Sequence, residues 1–276
     1  MQPVMKVEKL GVRYGPGCMY CADPVNPLEK NRCPGCRSVW AARDISFDLY
    51  ESEVLGVVGE SGSGKTTLMR ALHFDIEISS GRAYLRAHKN GEENIFCASG
   101  QQRRAIRNNL FGMVYQNPDM GLLMNYSNGG NVAHKLIAAG GRNVFEMQRR
   151  TAELLGHMEI PLDRVKEPPI NFSGGMRQRV QISKAIANNP PVLLLDEVTT
   201  GLDLSVQAKV LDLIRMVQKK LNISVVVVSH DLAVIRMLAD RTVVMLDGRI
   251  VEHGFTDQIL EDPQHKFTQT LVHSLI

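Results

Sequence analysis

The chain has 276 residues, of which 44% are hydrophobic, and its net charge at pH 7 is +3. This size and composition suit one large α/β domain with a substantial core, while so small a positive charge and the lack of an aromatic-rich basic groove argue against a nucleic-acid partner. No apolar run reaches the roughly 18 residues of a membrane helix, and residues 1–10 lack the apolar core of a signal peptide, so we expect a soluble, cytoplasmic protein with no direct membrane insertion.

The first part of the chain contains two stretches of alternating apolar and polar side chains. Residues 4–13 predict an edge strand, and residues 44–49 predict a second strand. Between them, residues 15–39 contain glycine, proline and cysteine and break the alternation. We therefore predict an antiparallel β part at the N-terminus that carries an inserted loop.

The inserted loop holds four of the five cysteines, in two Cys-x-x-Cys pairs: Cys18 with Cys21 and Cys33 with Cys36. In a cytosolic protein such pairs favour a metal over disulfides. Four thiolates from two such turns can surround Zn²⁺ tetrahedrally, at sulfur–metal distances of about 2.3 Å. Disulfides and an iron–sulfur cluster, which also takes four cysteines, are the alternatives. The pattern favours a closed, structural zinc site in a zinc-ribbon-like insert at 15–39.

The rest of the chain alternates short apolar strands with helical periodicity. This alternation is typical of a mainly parallel sheet that is covered by helices on both faces. We expect strands at 54–58, 192–195 and 225–228 and helices at 66–72, 144–158 and 206–221. The middle of the chain has few β-branched residues, and we predict a helical subdomain at 117–180.

A glycine-rich turn follows the strand expected at 54–58. Residues 59–66 fit the pattern G-x-x-x-x-G-K-[ST] between a strand and a helix. The glycines let backbone N–H groups close around phosphate oxygens at a helix N-terminus, whose partial positive charge favours anions. Lys65 is expected to reach the β- and γ-phosphates, and the Thr66 hydroxyl to ligate Mg²⁺. The ATP contacts expected from this segment are Gly59, Glu60, Ser61, Gly62, Ser63, Gly64, Lys65, Thr66 and Thr67.

Two carboxylates follow the apolar run 192–195, at the strand end where open α/β sheets place their ligands. We assign Asp196 to the Mg²⁺ shell and Glu197 to the attacking water, as general base. His230 ends the next apolar strand in the same way, and we expect it to contact the γ-phosphate and to position the water. With Lys65, Glu197 and His230 are the catalytic candidates.

Ser173-Gly174-Gly175-Met176, followed by arginine and glutamine, resembles the signature motif of ABC ATPases. Together with the phosphate loop, the paired carboxylates and His230, this resemblance extends over essentially the whole chain, 1–276, as a single ATP-binding domain. The fold that it implies is a P-loop ABC ATPase domain with a mainly parallel sheet, an antiparallel β part, a helical subdomain and the four-cysteine insert. In the signature, Met176 stands where the family usually has glutamine.

The resemblance also implies roles for residues that no motif had singled out. Gln116 would link the Mg²⁺ site to the helical subdomain and ligate the metal. Tyr14 would stack on adenine, although an ordinary strand tyrosine is the alternative. Asp203 belongs to a loop that would cross a dimer interface, and the signature would cap the ATP of a second ABC subunit, identical or different, in a head-to-tail dimer.

Two subfamilies of ABC ATPase share features with this chain. Residues 262–271 resemble both the ATPases of oligopeptide, dipeptide and nickel importers and the ATP-binding subunits of bacterial carbon–phosphorus lyase systems, which break down phosphonates. Residues 119–132, 135–142 and 160–164 are similar to the lyase-system subunits and favour the second group. The second resemblance implies an ATPase that docks on lyase core subunits and drives their conformational change. A nucleotide-binding subunit of a peptide or metal importer is the alternative.

Overall fold

The computed structural model describes residues 2–23 and 25–273. They divide into two compact units, one made of Met1–Arg103 with Val226–Ile276 and the other of Arg104–Val225. The first strands and helices in chain order are β1 (Met5–Tyr14), α1 (Met19–Ala22), β2 (Val39–Leu49), β3 (Val54–Val58), α2 (Lys65–Leu72), β4 (Ser80–Leu85), α3 (Gly100–Leu110), β5 (Phe111–Val114) and α4 (Pro118–Gly121). The later ones are α5 (Asn128–Ala138), α6 (Val144–His157), α7 (Gly174–Ala185), β6 (Val192–Asp196), α8 (Leu204–Leu221), β7 (Ser224–Val228), α9 (Leu232–Leu238), β8 (Arg241–Leu246), β9 (Arg249–Phe255), α10 (Thr256–Glu261) and α11 (Lys266–His273). Short 3-10 turns lie at Lys89–Gly91, Ile95–Cys97, Leu162–Arg164 and Pro169–Asn171. None of the helices in the described part of the chain is long and apolar enough to cross a membrane.

The first unit contains an antiparallel sheet with the strand order β2-β1-β4. Met5 of β1 pairs with Leu49 of β2 on one side and with Leu85 of β4 on the other, and all three are fully buried. The antiparallel N-terminal β part is confirmed, but the expectation of an edge strand at 4–13 was wrong. Alternating apolar and polar residues indicate that one face of a strand is buried. They do not indicate whether the strand pairs with a neighbour on one edge or on both.

The first unit also contains the strand that leads to the phosphate loop. All five residues of β3 are buried. β3 pairs in parallel with β8, and β8 pairs antiparallel with β9. A strand buried on both faces needs an unbroken apolar run, and β3 has one. Helix α2 follows and buries Leu68, Met69 and Leu72. The result is a rigid strand–loop–helix support for the glycine-rich turn.

The second unit combines two parallel strands with most of the helices. β5 pairs in parallel with β6, and every residue of both strands is buried. Helices α5, α6 and α7 bury Val132, Leu154 and Val180. Helix α7 approaches β5 closely, since a Cβ at Gly112 would lie 2.4 Å from the Ala185 carbonyl oxygen. Glycine at this position therefore permits the contact between helix and strand.

The elements expected from periodicity are confirmed, with shifts at their ends that have physical causes. The strand expected at 44–49 begins at Val39, and its start was hidden because Trp40 and the three residues after it are all buried. The helix expected at 206–221 begins at Leu204, because Asp203 caps it. Residues 117–180 contain helices and no strand.

Candidate functional site

The glycine-rich turn of the first unit has the backbone that a phosphate loop requires. Gly59, Gly62 and Gly64 have positive φ angles of 151°, 86° and 102°. A Cβ at Gly59 would lie 2.1 Å from the Met245 carbonyl oxygen, so a side chain there is excluded. A Cβ at Gly62 would meet nothing within 4 Å. The loop is thus held tightly at its base and is open at its tip, where an anion can approach the backbone.

Lys65 begins helix α2 and is buried, with 5% of its surface exposed. Its Nζ donates to the carbonyl oxygens of Gly59 (2.8 Å) and Glu60 (2.9 Å), so the ammonium group lies inside the loop. The Ser63 hydroxyl is also buried and has no hydrogen-bond partner among the described residues. Thr66 is exposed at the start of the helix. A buried cation, an unsatisfied hydroxyl and an open glycine tip fit a bound polyphosphate.

His230 and Tyr14 belong to the same unit. His230 follows β7, is exposed, and precedes Asp231, the residue that caps α9 by accepting from Ala233 N at 2.8 Å. The Ser229 hydroxyl accepts from Asp231 N at 2.9 Å, which closes the turn on both sides of the histidine. Tyr14 is the last residue of β1, and half of its side chain is exposed. Both side chains are therefore presented to solvent on ordered backbone.

In the second unit, β6 delivers the two carboxylates as expected. Asp196 is the last residue of the strand and is 2% exposed, whereas Glu197 is half-buried. The φ of Glu197 is 47°, in the left-handed region that residues with a Cβ rarely adopt. Such strain, of about 1–3 kcal/mol, persists where surrounding structure enforces it and is concentrated at functional sites.

The Glu197 carboxylate is held by two side chains. Its Oε2 accepts from Gln116 Nε2 at 2.8 Å and from the Thr200 hydroxyl at 3.2 Å. The structure thus brings together two residues that were expected to act together and that lie 81 positions apart. Thr200 was not among the sequence candidates, although it follows Glu197 by one short turn.

The signature segment forms the start of α7. Ser173 caps the helix by accepting from Met176 N at 3.4 Å, and Ser173 and Gly174 are exposed. A Cβ at Gly174 would meet nothing within 4 Å, but one at Gly175 would lie 2.6 Å from Val206 Cγ1 of α8. The exposed end of this 12-residue helix presents backbone N–H groups and partial positive charge to an anion.

Asp203 is exposed and caps α8 within its own chain. Its Oδ1 accepts from Val206 N (3.0 Å) and from the Ser205 hydroxyl (2.7 Å). The Ser205 bond, followed by the backbone bond, lowers the pKa of this carboxyl, so Asp203 is ionised at neutral pH. Its helix-capping role accompanies the ATP contact expected from its position.

The four cysteines of the insert converge. Their Sγ atoms all lie within 4.8 Å of one another, an arrangement that can hold a metal ion. Cys18 lies 3.6 Å from Cys33 and 3.8 Å from Cys21, whereas a disulfide would require about 2.05 Å. All four are free thiols, and Cys21 and Cys33 are fully buried.

Hydrogen bonds around the sulfurs favour thiolates at some positions and oppose them at others. The Ser38 hydroxyl and backbone lower the pKa of Cys36 to about 6. Although the Cys36 backbone N–H favours the Cys33 thiolate, burial and the neighbouring thiols raise the pKa of Cys33 to about 11. Four thiolates in so small a volume repel one another, and a bound cation removes this penalty. The donor set therefore fits a soft divalent metal.

Three residues of this region were missed in the sequence. Ser38 lies against Cys36, Trp40 forms a small apolar core with Cys21 and Cys33, and Arg43 donates to the carbonyl oxygen of Asn26 at 3.0 Å. Their position in the sequence could have indicated them, since all three follow Cys36, the last cysteine of the insert, within seven residues.

Comparison with known proteins identifies the family. The family model described as ABC transporter matches residues 42–200. A putative phosphonates utilization ATP-binding protein, PhnK, from Escherichia coli is 42% identical over 84% of this chain and 90% of its own length. The oligopeptide transport ATP-binding protein OppD of Bacillus subtilis is 37% identical over 86% of this chain and 67% of its own length.

Solved structures agree. The ATP-binding cassette MJ0796, in a dimeric post-hydrolysis state bound to ADP and Pi, superposes with a TM-score of 0.75 at 25% identity and covers 91% of this chain and 98% of that one. A second structure of MJ0796, described as a bacterial ABC transporter cassette, is also dimeric and gives the same score. These likenesses support a second ABC subunit as partner. The chain belongs to the ABC transporter family and is an ATP-hydrolysing ABC ATPase.

Proposed function

We propose that this ABC ATPase uses MgATP to drive conformational change in a carbon–phosphorus lyase complex that breaks down phosphonates. The observation that carries the proposal is the similarity to the phosphonates utilization protein, which exceeds the similarity to the oligopeptide transport protein. The proposed role separates two tasks. The ATPase supplies movement, and the lyase subunits carry out the bond cleavage.

Each residue of the proposed ATP site has a separate role in hydrolysis. Lys65 and the loop amides hold the β- and γ-phosphates, and Thr66, Asp196 and Gln116 are the Mg²⁺ ligands. Mg²⁺, when bound, neutralises charge that develops on the phosphate oxygens. Glu197 takes a proton from the attacking water and His230 orients that water. The remaining ATP contacts in this proposal are Tyr14, Gly59, Glu60, Ser61, Gly62, Ser63, Gly64, Thr67 and Asp203, with Ser173, Gly174, Gly175 and Met176 from a second subunit.

We further propose that the insert at 15–39 holds one structural Zn²⁺ through Cys18, Cys21, Cys33 and Cys36. The convergence of the four sulfurs supports this site. Because all four ligands come from the protein, the coordination shell is closed, and the metal stabilises the loop rather than reacting. Zinc fits the donor set without a need for inorganic sulfide.

The proposed docking surface lies in the helical part, 117–180. Two of the segments similar to phosphonate-system subunits contact each other there, since Asn128 Nδ2 donates to the Arg164 carbonyl oxygen at 3.3 Å. Gly129 N also donates to the carbonyl oxygen of Val165, the residue after the second of these segments, at 2.9 Å. Tyr126 and Leu162, which belong to the segments 119–132 and 160–164, are 60% and 57% exposed. Large apolar side chains left in solvent are typical of a partner surface.

Affinity purification of the tagged protein from its native host, grown on a phosphonate, tests the proposal. We expect lyase subunits to be recovered, and Glu197→Gln with ATP to increase their yield. Tyr126→Glu and Leu162→Glu should reduce recovery while ATPase activity persists, and Met216→Glu, which alters an exposed methionine of α8, should not. Loss of the gene should abolish growth on phosphonate and leave growth on phosphate intact.

The second candidate is the nucleotide-binding subunit of a peptide or metal importer, which the similarity to OppD favours. In that case the tagged protein would sediment with membranes and bring down permease subunits. Growth on phosphonate would be unaffected by deletion.

A further inference from the structure

The turn that leaves Tyr14 is attached to the four-cysteine cluster through Ser38. Gly17 N donates to the Ser38 hydroxyl at 2.9 Å, and that oxygen lies 3.2 Å from Cys36 Sγ. A hydroxyl can accept from one group and donate to another, so Ser38 can accept from the turn and donate to a Cys36 thiolate simultaneously. A Cβ at Gly15 would lie 2.7 Å from the same oxygen, which shows how closely the two segments approach.

A second path joins the cluster to the same turn through Trp40 and Arg13. Trp40 is 6% exposed and packs against Cys21 and Cys33. The Arg13 guanidinium lies 5.5 Å from the centroid of the Trp40 ring, within the range of a cation–π contact. The same guanidinium donates to the Pro16 carbonyl oxygen at 3.3 Å. Arg13, which precedes Tyr14, and Gly17, which follows it by three residues, are therefore each held by a group that touches the sulfurs.

The pairing of β1 with β2 connects Tyr14 itself to residues that directly follow the cluster in the chain. Tyr14 pairs with Val39 and Arg13 with Trp40 across β1 and β2, and these are the last pairs before the insert. Beyond them the chain leaves β1 through Gly15 and Gly17, both with positive φ, into Cys18. Glycines permit many conformations, so this turn has little order of its own. Its attachment to Ser38 and Arg13 supplies that order.

We propose that the four-cysteine cluster sets the affinity of the nucleotide site for adenine, by holding the turn at residues 15–18 and thereby the orientation of Tyr14. This inference rests on the proposed stacking of Tyr14 on adenine. The cluster orders only the end of the site that binds the adenine base. The phosphate loop depends on separate contacts, such as that of Gly59 with Met245, and acts independently of the metal.

The test compares two ligands, MgATP and Mg-tripolyphosphate, which share the phosphates and differ in the nucleoside. Calorimetric titration is carried out on the zinc-loaded protein, on protein stripped of zinc and returned to Mg²⁺ buffer, and on Ser38→Ala. Stripping and Ser38→Ala should weaken ATP binding by at least about fivefold, the lower range of a lost base–aromatic stack. Tripolyphosphate affinity should change by less than about twofold. Ser46→Ala is the matched control, because Ser46 lies on β2, which follows Ser38, and its hydroxyl accepts from Lys9 N of β1 at 2.9 Å.

Trp40 supplies an independent readout, since it is the sole tryptophan of the chain. Its fluorescence should shift to longer wavelength when the zinc is removed, and the ATP-induced change in its emission should be smaller in Ser38→Ala than in Ser46→Ala. Tyr14→Ala should reproduce the ATP defect, and stripping the zinc from Tyr14→Ala should add nothing further.

Unchanged ATP affinity after stripping would overturn the inference, as would an equal loss of tripolyphosphate affinity, because the cluster would then support the whole unit. If Ser38→Ala also loses zinc, the stripped wild-type protein alone decides the outcome. Failure of the proposed stacking of Tyr14 on adenine gives a different result, in which Tyr14→Ala binds MgATP as tightly as the wild-type protein does.

Discussion

At the scale of single residues, Glu197 combines a strained backbone with a fixed carboxylate. Its left-handed φ turns the chain sharply after β6, and Thr200 N donates back to its carbonyl oxygen at 3.2 Å. Gln116 and Thr200 then hold the carboxylate itself. Groups fixed in this way cost little reorganisation when a reaction begins, which is the condition for an effective general base.

Glu197→Gln should preserve MgATP binding and lower the steady-state turnover by roughly 10²–10⁴-fold, because the amide keeps the shape of the carboxylate but accepts no proton. The measurement is phosphate release under saturating ATP, with binding followed by calorimetry. Glu77→Gln, at a carboxylate that is 82% exposed and pairs with Arg103, is the matched control and should retain full turnover. Wild-type turnover in Glu197→Gln would show that Glu197 is not the general base.

At the scale of elements, the hydrophobic core of the insert is small for the length of the insert. Its buried apolar part consists of Cys21, Cys33 and Trp40, with Leu28 packed against them. So small a core offsets little of the entropy of ordering about 25 residues, and metal ligation is the usual source of the missing stability.

Metal analysis of the purified protein should therefore find about one zinc per chain, and Cys33→Ser should lose it. Cys97→Ser, at an exposed cysteine outside the cluster, should keep the metal. Both variants should still bind tripolyphosphate, since residues 59–66 have their own support. A protein without metal, or one with the visible absorption of an iron–sulfur cluster, would contradict the zinc assignment.

Helices α5 and α7 each contain a largely buried lysine whose ammonium group donates to backbone carbonyl oxygens. Lys135 Nζ donates to Phe111 O at 2.8 Å, and Lys184 Nζ donates to Gly121 O at 2.7 Å. Burial lowers the pKa of each to about 8, and nearby cationic groups add to the effect at Lys135. Between about pH 8 and pH 10.5 the unfolded chain therefore binds more protons at these positions than the folded one.

These lysines therefore make the fold less stable below pH 8, and the free energy of unfolding rises with pH between about pH 8 and pH 10.5. Lys184→Met should flatten the rise in the free energy of unfolding between pH 8 and pH 10, measured in urea. Lys219→Met, at an exposed lysine of α8, should keep the wild-type dependence. Parallel curves for Lys184→Met and the wild type would show that Lys184 is ionised equally in both states.

At the scale of the whole molecule, the strand, glycine-rich turn and helix at 54–72 were predicted more accurately than the order of the strands in the sheet. Motifs such as 59–66 have a fixed spacing because one backbone geometry surrounds a phosphate, so local sequence is sufficient. The central position of β1 depends on a pairing with Ser80–Leu85, far along the chain, which local alternation does not encode. The same limit hid Trp40, which packs against Cys21 and Cys33, and Ser38, which joins Cys36 to Gly17 across 21 positions of the chain.

The phosphate loop and the signature belong to different units of the chain, and the dimeric relatives indicate that a second subunit is present. If each ATP is held by the loop of one subunit and the signature of the other, two inactive variants should complement each other. Lys65→Ala removes the phosphate-binding ammonium. Gly174→Asp adds a Cβ that would meet nothing within 4 Å beyond the adjoining helix backbone, so the chain can accommodate a carboxylate whose charge repels the γ-phosphate.

A mixed dimer of Lys65→Ala and Gly174→Asp contains one intact site, made of the loop of the second variant and the signature of the first. Its ATPase activity at a 1:1 ratio should therefore exceed the mean of the two variants measured alone. A mixture of Lys65→Ala with Thr66→Val is the control, since both changes affect the loop and every mixed site keeps one of them. If the first mixture shows no more activity than its components while a tag on one variant co-purifies the other and so confirms that mixed dimers form, each site is built within one chain and the head-to-tail arrangement is excluded.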